Sequence, residues 1–300
     1  MKQETVLITG CGGMLGQDVY KSFNENYEKV VASDIDLNEP WLEYLDVRNA
    51  TECRLWVESL RPDIIVNLAA HTDLEYCEEN KKDAWNTNAL GAENLATLAK
   101  EYGALYIYIS TAGVFDGKQE SYVDDDLAVP INEYSRSKYH GEVFIQKHNT
   151  EYFIFRAGWM MGGEDKDKKF VKKILDQLLA GKTELFVVND KLGTPTYTGD
   201  FAKGIIKVIE SNKYGLYNQV CSGSGSRYDV AIKMIEYLGL TGKIKVTKVN
   251  SDHFKEEYFA PRPYSEILIN QKLNDLGINF MRDWDVCLKE YCELLKVQLD

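Results

Sequence analysis

A doubly wound parallel α/β sheet with a smaller mixed α/β domain beside it is the fold predicted for this sequence, on three observations. Strand-length apolar runs alternate with helix-like segments through the first half of the chain, a glycine-rich turn joins the first run to the segment after it, and the alternation loosens beyond about Phe155. The predicted strands are residues 6–8, 30–32, 64–68, 105–109 and 152–155. Between them the clearest helices are about 83–101, with Ala84, Trp85, Leu90, Leu95 and Leu98 at helical spacing, and about 133–147. Repetition of this kind folds as parallel strands covered by helices on both faces.

Past residue 155, the stretch Gly162-Gly163-Glu164-Asp165-Lys166-Asp167-Lys168-Lys169 reads as a solvated loop, either mobile beside a site or a plain surface connection, leading to a helix from about Phe170. Further strands are expected near 185–188 and 216–220, and helices near 199–210, 228–238 and 285–297. The division that follows is 1–155 with returning segments at about 183–212 for the larger domain, and 156–182 with 213–300 for the smaller.

The 300 residues are 44% hydrophobic and 27% charged, the balance of a soluble globular protein and not of a disordered one. With 35 basic against 47 acidic side chains the net charge is -12, which excludes a nucleic-acid backbone or an anionic membrane as a natural partner. A phosphorylated ligand would need positive groups gathered locally. The N-terminus lacks the order of a secretion signal and no apolar run has the length of a membrane span. Six cysteines without a Cys-x-x-Cys pair, and four histidines, indicate neither a metal site nor a disulfide framework, so reduced thiols in the cytoplasm are expected.

Residues 5–8 run into Thr9-Gly10-Cys11-Gly12-Gly13-Met14-Leu15-Gly16, and helix-like Gln17-Asp18-Val19-Tyr20-Lys21 follows. Gly10 permits a tight turn, Gly13 lets backbone amides approach a pyrophosphate, and Gly16 lets the helix lie close to the sheet. Met14 and Leu15 then stand at the helix N-terminus facing the anion. In this setting the turn predicts a Rossmann-type dinucleotide site for NAD(H) or NADP(H). Asp34 ends the second strand where an acid would hold a ribose with two free hydroxyls, which favours NAD(H); capping of a turn, with Asp36 close by, is the other reading.

Tyr134 and Lys138 are four residues apart on a predicted helix, so a phenol and an ammonium face one site. The strand at 105–109 delivers Ser110 and Thr111 at its carboxyl end, where ligands bind in open parallel sheets. Hydride delivery to a carbonyl carbon leaves charge on oxygen, which calls for a donor to hold the carbonyl and an acid to protonate it. Thr111 is suited to hold, Tyr134 to protonate, and Lys138 to bring the phenol toward its working range while binding the nicotinamide ribose.

These motifs resemble the extended short-chain dehydrogenase/reductases, with Asp46-Val47 similar to that family's adenine-contacting pair, Leu68-Ala69-Ala70 to its segment after the fourth strand, and Asn88 to its supporting asparagine. Within that group the chain resembles the dTDP-4-dehydrorhamnose reductases over nearly its whole length. The matches run through Ser110 to Gly117, Tyr122 to Pro130, Tyr134 to Glu142, Arg156 to Trp159, Asp190 to Thr196, Arg262 to Ser265, and Lys272-Leu273. The resemblance implies reduction of the 4-keto group of a nucleotide-linked deoxysugar, with Asn88 and Arg156 among the cofactor-side residues, Trp159 packing near the sugar, and Arg262 a candidate for the diphosphate. On residue chemistry alone, core packing for Trp159 and a surface ion pair for Arg262 stand equally open. Some relatives are homodimers, so a homodimer is an expectation carried by the resemblance.

Two departures fall on the substrate side. Where the family has Asp-Tyr after the catalytic Thr, this chain has Ala112-Gly113, and the Gly after the catalytic Tyr is Ser135. They imply a wider pocket and a different sugar while leaving the hydride machinery intact. Two alternatives remain at this point. One is an epimerase or dehydratase with tightly held NAD, for which Ala112-Gly113 supplies no acid; the other is a non-catalytic cofactor-binding subunit, which intact Thr111, Tyr134 and Lys138 disfavour.

Overall fold

The computed structural model describes residues 1–298. Its strands are β1 (Lys2–Thr9), β2 (Tyr27–Asp34), β3 (Leu42–Tyr44), β4 (Ile64–Asn67), β5 (Leu105–Thr111), β6 (Tyr152–Ala157), β7 (Trp159–Met161), β8 (Glu184–Val188), β9 (Leu192–Gly193), β10 (Pro195–Tyr197), β11 (Gly215–Asn218), β12 (Gly225–Ser226), β13 (Lys245–Val249) and β14 (Ser265–Glu266). The helices are α1 (Gly16–Asn24), α2 (Ala50–Leu60), α3 (Leu74–Glu79), α4 (Lys81–Trp85), α5 (Gly91–Tyr102), α6 (Glu133–His148), α7 (Phe170–Leu179), α8 (Thr198–Glu210), α9 (Arg227–Tyr237), α10 (Gln271–Asp275) and α11 (Trp284–Lys296).

Seven strands form one parallel sheet in the order β11-β6-β5-β4-β1-β2-β3. The chain grows from β1 toward one edge, then crosses to β4 and grows toward the other, so the order reverses between β1 and β4. A cleft opens outside the carboxyl ends at such a reversal. Neighbouring residues point to opposite faces, and both faces are covered. Ile8 and Phe155 join the core under α1 and α8, while Leu7 and Ile154 join the core under α2 and α5. This double burial is why the strands read as unbroken apolar runs.

The predicted strands and helices are present, and the structure differs from the reading in where two strands join, in short elements it adds and in the course of one helix. Residues 215–218, expected in the smaller domain, pair with β6 as the seventh strand of the main sheet, whereas β8, expected in the larger domain, pairs with β13 in the smaller body. Apolar runs this short say that a strand forms but not which sheet it joins. The three-residue β3 was not foreseen, because only Leu42 of its residues is buried. The helix expected at 83–101 is interrupted by a wide π turn over Asn86–Leu90, which carries Asn88 inward onto hydrogen bonds with the loop after β4 and with α6.

Helix α6 starts at the Asn132 cap, whose side chain accepts from the Ser135 N–H. Tyr134, Lys138 and Glu142 follow at four-residue spacing along one face. At Gly141 a β-carbon would lie 2.6 Å from the Tyr108 hydroxyl oxygen, so glycine is what lets α6 lie directly on β5. Next to it, the fully buried Glu142 accepts from Arg156 Nε at 3.0 Å and Nη2 at 2.7 Å, tying α6 to β6. Arg156 Nη1 donates to the Asp124 carbonyl at 3.0 Å. All six cysteines are buried free thiols, and among the described residues no helix is long and apolar enough to cross a membrane.

A buried charge left without its partner is costly, whereas an apolar replacement of both partners is not. Arg156→Met is therefore expected to destabilise the protein by about 3 kcal/mol or more, and the double variant Arg156→Met/Glu142→Leu to recover most of that loss. Equilibrium urea denaturation of the three proteins measures it. A double variant no more stable than the single one would show that the pair itself, and not the orphaned charge, carries the energy.

Candidate active site

The carboxyl end of β1 runs into the glycine turn. Gly10 is left-handed (φ 71°), and a β-carbon on it would lie 2.2 Å from the Ala69 nitrogen in the segment after β4; only glycine fits there. At Gly16 a β-carbon would lie 1.8 Å from the Cys11 carbonyl oxygen, so α1 is drawn onto the turn. Gly13 by contrast is exposed, its nearest neighbour the Gly10 oxygen at 3.7 Å from a β-carbon position. The N–H groups of Gly13, Met14 and Leu15 have no acceptor among the described residues, and α1 begins without a side-chain cap. Bare backbone donors at a helix N-terminus have the polarity and the openness that a pyrophosphate requires. The residues present fit a dinucleotide.

Leu68, Ala69 and Ala70 lie beside Gly10, with the Ala69 N–H held by Asn67 Oδ1 at 3.0 Å. Asp34 closes β2, and its carboxylate accepts from the Gly12 N–H at 2.8 Å and the Asp36 N–H at 3.0 Å. The same carboxylate thus braces the glycine turn, at the end of the strand where the sequence reading expects the ribose. Asp46 is gripped by Arg48, which holds its carboxyl below the usual range and continues to Asp83 at 2.8 Å. Val47 is buried against Gly91. Gly162 and Gly163 bring the loop before α7 back over the turn: a β-carbon at Gly163 would lie 2.4 Å from the Met14 oxygen. The same loop is pinned by Lys166 to Glu39 at 3.1 Å and by Lys169 to the Thr72 carbonyl at 3.0 Å, so it is neither free nor remote.

Two expected cofactor ligands lie behind the site instead. The Asn88 amide is used up by His71, whose N–H it accepts at 2.8 Å and whose carbonyl it donates to at 3.0 Å, and by Ser137 Oγ at 3.1 Å. Arg156 is committed to Glu142 and Asp124, beneath the catalytic helix. Both position α6 and neither offers a donor to a cofactor. Ser110 Oγ, at the end of β5, is buried without a partner and remains open to one.

Thr111, Tyr134 and Lys138 converge where β5 meets α6. The Thr111 hydroxyl oxygen accepts from the Gly113 N–H at 3.1 Å, which fixes its place at the end of β5. Burial pushes the Tyr134 phenol well above its usual range, a hydrogen bond with Thr111 pulls it partly back, and the charges of Cys77 and Glu266 push it up again. Lys138 is buried with its ammonium 4.0 Å from the centre of the Tyr108 ring, and burial lowers it from 10.5 to about 7, against an upward pull from Glu142. The expectation that Lys138 draws the phenol down is therefore not met in the protein alone: desolvation governs both groups and keeps Tyr134 protonated.

On the substrate side, the predicted extra space beside Ala112 and Gly113 is partly filled. Both residues are buried, and a β-carbon at Gly113 would lie 2.7 Å from Ser135 Oγ, so the second departure occupies room left by the first. Trp159 is half-buried, donates to Glu266 Oε2 at 2.8 Å, and carries the Arg227 guanidinium 3.7 Å above its ring. Arg262 forms a two-point ion pair with Glu75 at 2.7 and 2.9 Å. The residue with no side-chain hydrogen bond among the described residues is Arg227, sandwiched between Trp159 and Phe170 and lowered by burial to about 10. Arg262 and Arg227 act on each other electrostatically, as do Arg227, Lys169 and Lys173, so four cations gather in a chain of net charge -12. Sequence reasoning missed Arg227 and Glu266, since a lone Arg opening a helix and a Glu after Ser265 carry no motif.

The family model for the RmlD substrate binding domain matches residues 4–297. The spore coat polysaccharide biosynthesis protein SpsK of Bacillus subtilis is 33% identical over 96% of this chain and 96% of its own. Among solved structures, a dTDP-4-dehydrorhamnose reductase from Clostridium acetobutylicum is 34% identical with a TM-score of 0.89, covering 97% of this chain and 99% of that one. A Bacillus anthracis dTDP-4-dehydrorhamnose reductase in complex with NADP is 32% identical with a TM-score of 0.88, over 97% and 99%. With the glycine turn, the Thr111, Tyr134 and Lys138 constellation and a match along almost its full length, the chain belongs to the RmlD substrate-binding-domain family of NAD(P)-dependent sugar-nucleotide oxidoreductases.

Proposed function

We propose that this protein reduces the 4-keto group of a nucleotide-linked 6-deoxysugar, with Tyr134 as the proton donor. The observation that carries it is a desolvated, protonated phenol on α6 beside the Thr111 hydroxyl at the carboxyl end of β5, next to a dinucleotide cradle. A reduced nicotinamide held at that cradle supplies the hydride. Thr111 and Tyr134 donate to the ketone oxygen, and as charge develops there Tyr134 passes its proton across. Lys138, with a pKa near 7, is poised to carry positive charge behind the phenol when it becomes phenolate. The cations Lys169, Lys173, Arg227 and Arg262 supply the local positive charge for the diphosphate, with Arg227 the unpaired member.

The test is to mix the protein with NADH or NADPH and a panel of nucleotide-linked 4-keto-6-deoxysugars, following cofactor oxidation and identifying the product. Turnover of at least one is expected, and none on any of them would sink the reading. Tyr134→Phe is expected to lower kcat by about 1000-fold with cofactor affinity nearly unchanged, as read by fluorescence quenching; unaltered kcat would remove Tyr134 from the role. Asp34 stands where a 2′-phosphate would meet like charge, so kcat/KM for NADH is expected to exceed that for NADPH by about tenfold, and Asp34→Ala to narrow the ratio. An NADPH preference in the wild type would show that Asp34 serves the turn alone.

Lys138 also leaves a mark on stability. Its pKa is depressed from 10.5 to about 7 in the folded protein, so between those values the unfolded chain holds a proton that the folded one lacks. Stability through this group therefore rises with pH from about 7 toward 10.5. Relative to Lys138→Met, the cofactor-free wild type is expected to gain stability across that window, measured by urea denaturation at several pH values. Parallel profiles would refute the depressed pKa.

A further inference from the structure

Three oxygens from separate segments surround the missing side chain of Gly113. A β-carbon at that position would lie 2.7 Å from Ser135 Oγ, 3.4 Å from Thr111 Oγ1 and 3.5 Å from Glu266 Oε1. Ser135 Oγ is fully buried and has no hydrogen-bond partner among the described residues. The Glu266 carboxylate is fixed by the bond its Oε2 accepts from Trp159 Nε1 at 2.8 Å, and its Oε1 has no donor among the described residues. It lies near enough for its charge to act on both Tyr134 and Arg227. A carboxylate only accepts, and an unpaired buried hydroxyl is costly, so this niche is completed by a group that brings a proton.

We propose that the niche reads the substituent on the ring carbon beside the ketone, and that Glu266 selects sugars whose substituent there is a hydrogen-bond donor, hydroxyl or amino. The proposal rests on the 4-keto reductase reading. Oxygens on adjacent carbons of a pyranose sit about one hydrogen-bond length apart, so a ketone oxygen held by Thr111 sets the neighbouring substituent at the niche that shares Thr111. In a 4-keto-6-deoxyhexose the carbon on one side carries the methyl group, which leaves C3 as the position read. A hydrogen there leaves Glu266 Oε1 and Ser135 Oγ unpaired. Gly113 keeps the niche open, and Ser135 completes its wall.

The experiment measures kcat/KM for three nucleotide-linked 4-keto-6-deoxyhexoses carrying hydroxyl, amino or hydrogen at C3. Wild type is compared with Glu266→Leu, Glu266→Gln and Ser135→Ala, each checked for fold by cofactor fluorescence. Wild type is expected to favour the hydroxyl or the amino compound over the hydrogen compound by about 100-fold or more, and the larger of the two rates names the donor. Glu266→Leu should shrink that ratio to within about threefold, while Glu266→Gln, which keeps an acceptor oxygen, retains most of it. Wild-type ratios within about threefold, or a full ratio in folded Glu266→Leu, overturn the proposal. If Glu266→Leu does not fold, Ser135→Ala decides: a lowered ratio supports the niche and an unchanged one overturns it. Turnover of all three without discrimination refutes only this inference, whereas turnover of none refutes the reductase reading and the inference with it.

Discussion

Helix α6 lies on β5 with nothing between them at Gly141, where the Tyr108 hydroxyl occupies the place a β-carbon would need. That hydroxyl reaches the carbonyl oxygens of Asn88 at 3.2 Å and Lys138 at 3.3 Å, and the Tyr108 ring supports the Lys138 ammonium. One further turn of α6 is anchored to β6 by the buried Glu142 and Arg156 pair, and the first turn by Asn88 acting on Ser137. The position of Tyr134 relative to Thr111 is thus supported by close packing and buried polar bonds behind it, besides its own hydrogen bond with Thr111. A site that must place a proton within a hydrogen-bond length of a reacting oxygen needs this rigidity.

The same packing explains the ionisation of the two central groups. Bringing α6 so close excludes water from Tyr134 and Lys138 together, and desolvation disfavours the phenolate and the ammonium alike. In the protein alone the pair therefore rests near neutrality: a phenol that keeps its proton and an amine that holds one loosely. This is the correct resting state for an acid in a reduction, because the proton must be present before hydride arrives. Negative charge developing on a nearby oxygen favours the charged form of Lys138 further.

What could be read from the sequence divides along a physical line. The glycine turn was legible because backbone geometry admits one residue type at Gly10 and Gly16, and the Tyr134 and Lys138 pair because helical spacing fixes which residues share a face. Asn88 and Arg156 were found as important but given the wrong duty. A polar residue next to a site looks alike in sequence whether it touches a ligand or holds the scaffold, and only their buried partners distinguish the two. Arg262 and Arg227 show the same ambiguity in reverse, since Glu75, bonded to Arg262, lies 187 residues away in sequence, while Arg227 is enclosed by the rings of Trp159 and Phe170 with no acid bonded to it among the described residues.

The two halves of the site are consequently built in different ways. The proposed cofactor side consists of backbone donors at one turn and of residues at the ends of β1, β2 and β4, so its form follows from the sheet itself. The side proposed to meet substrate is assembled from side chains brought together by loops, short strands and helix ends: Gly113, Ser135, Trp159, Arg227 and Glu266. Substitutions there leave the sheet, the helix contact and the proton donor untouched. Ser135 filling part of the room at Gly113 shows how such changes come in matched sets, because a side chain at 113 and a hydroxyl at 135 cannot both occupy that space. A fold with this division can keep one hydride chemistry fixed while the sugar it accepts is redefined one loop residue at a time.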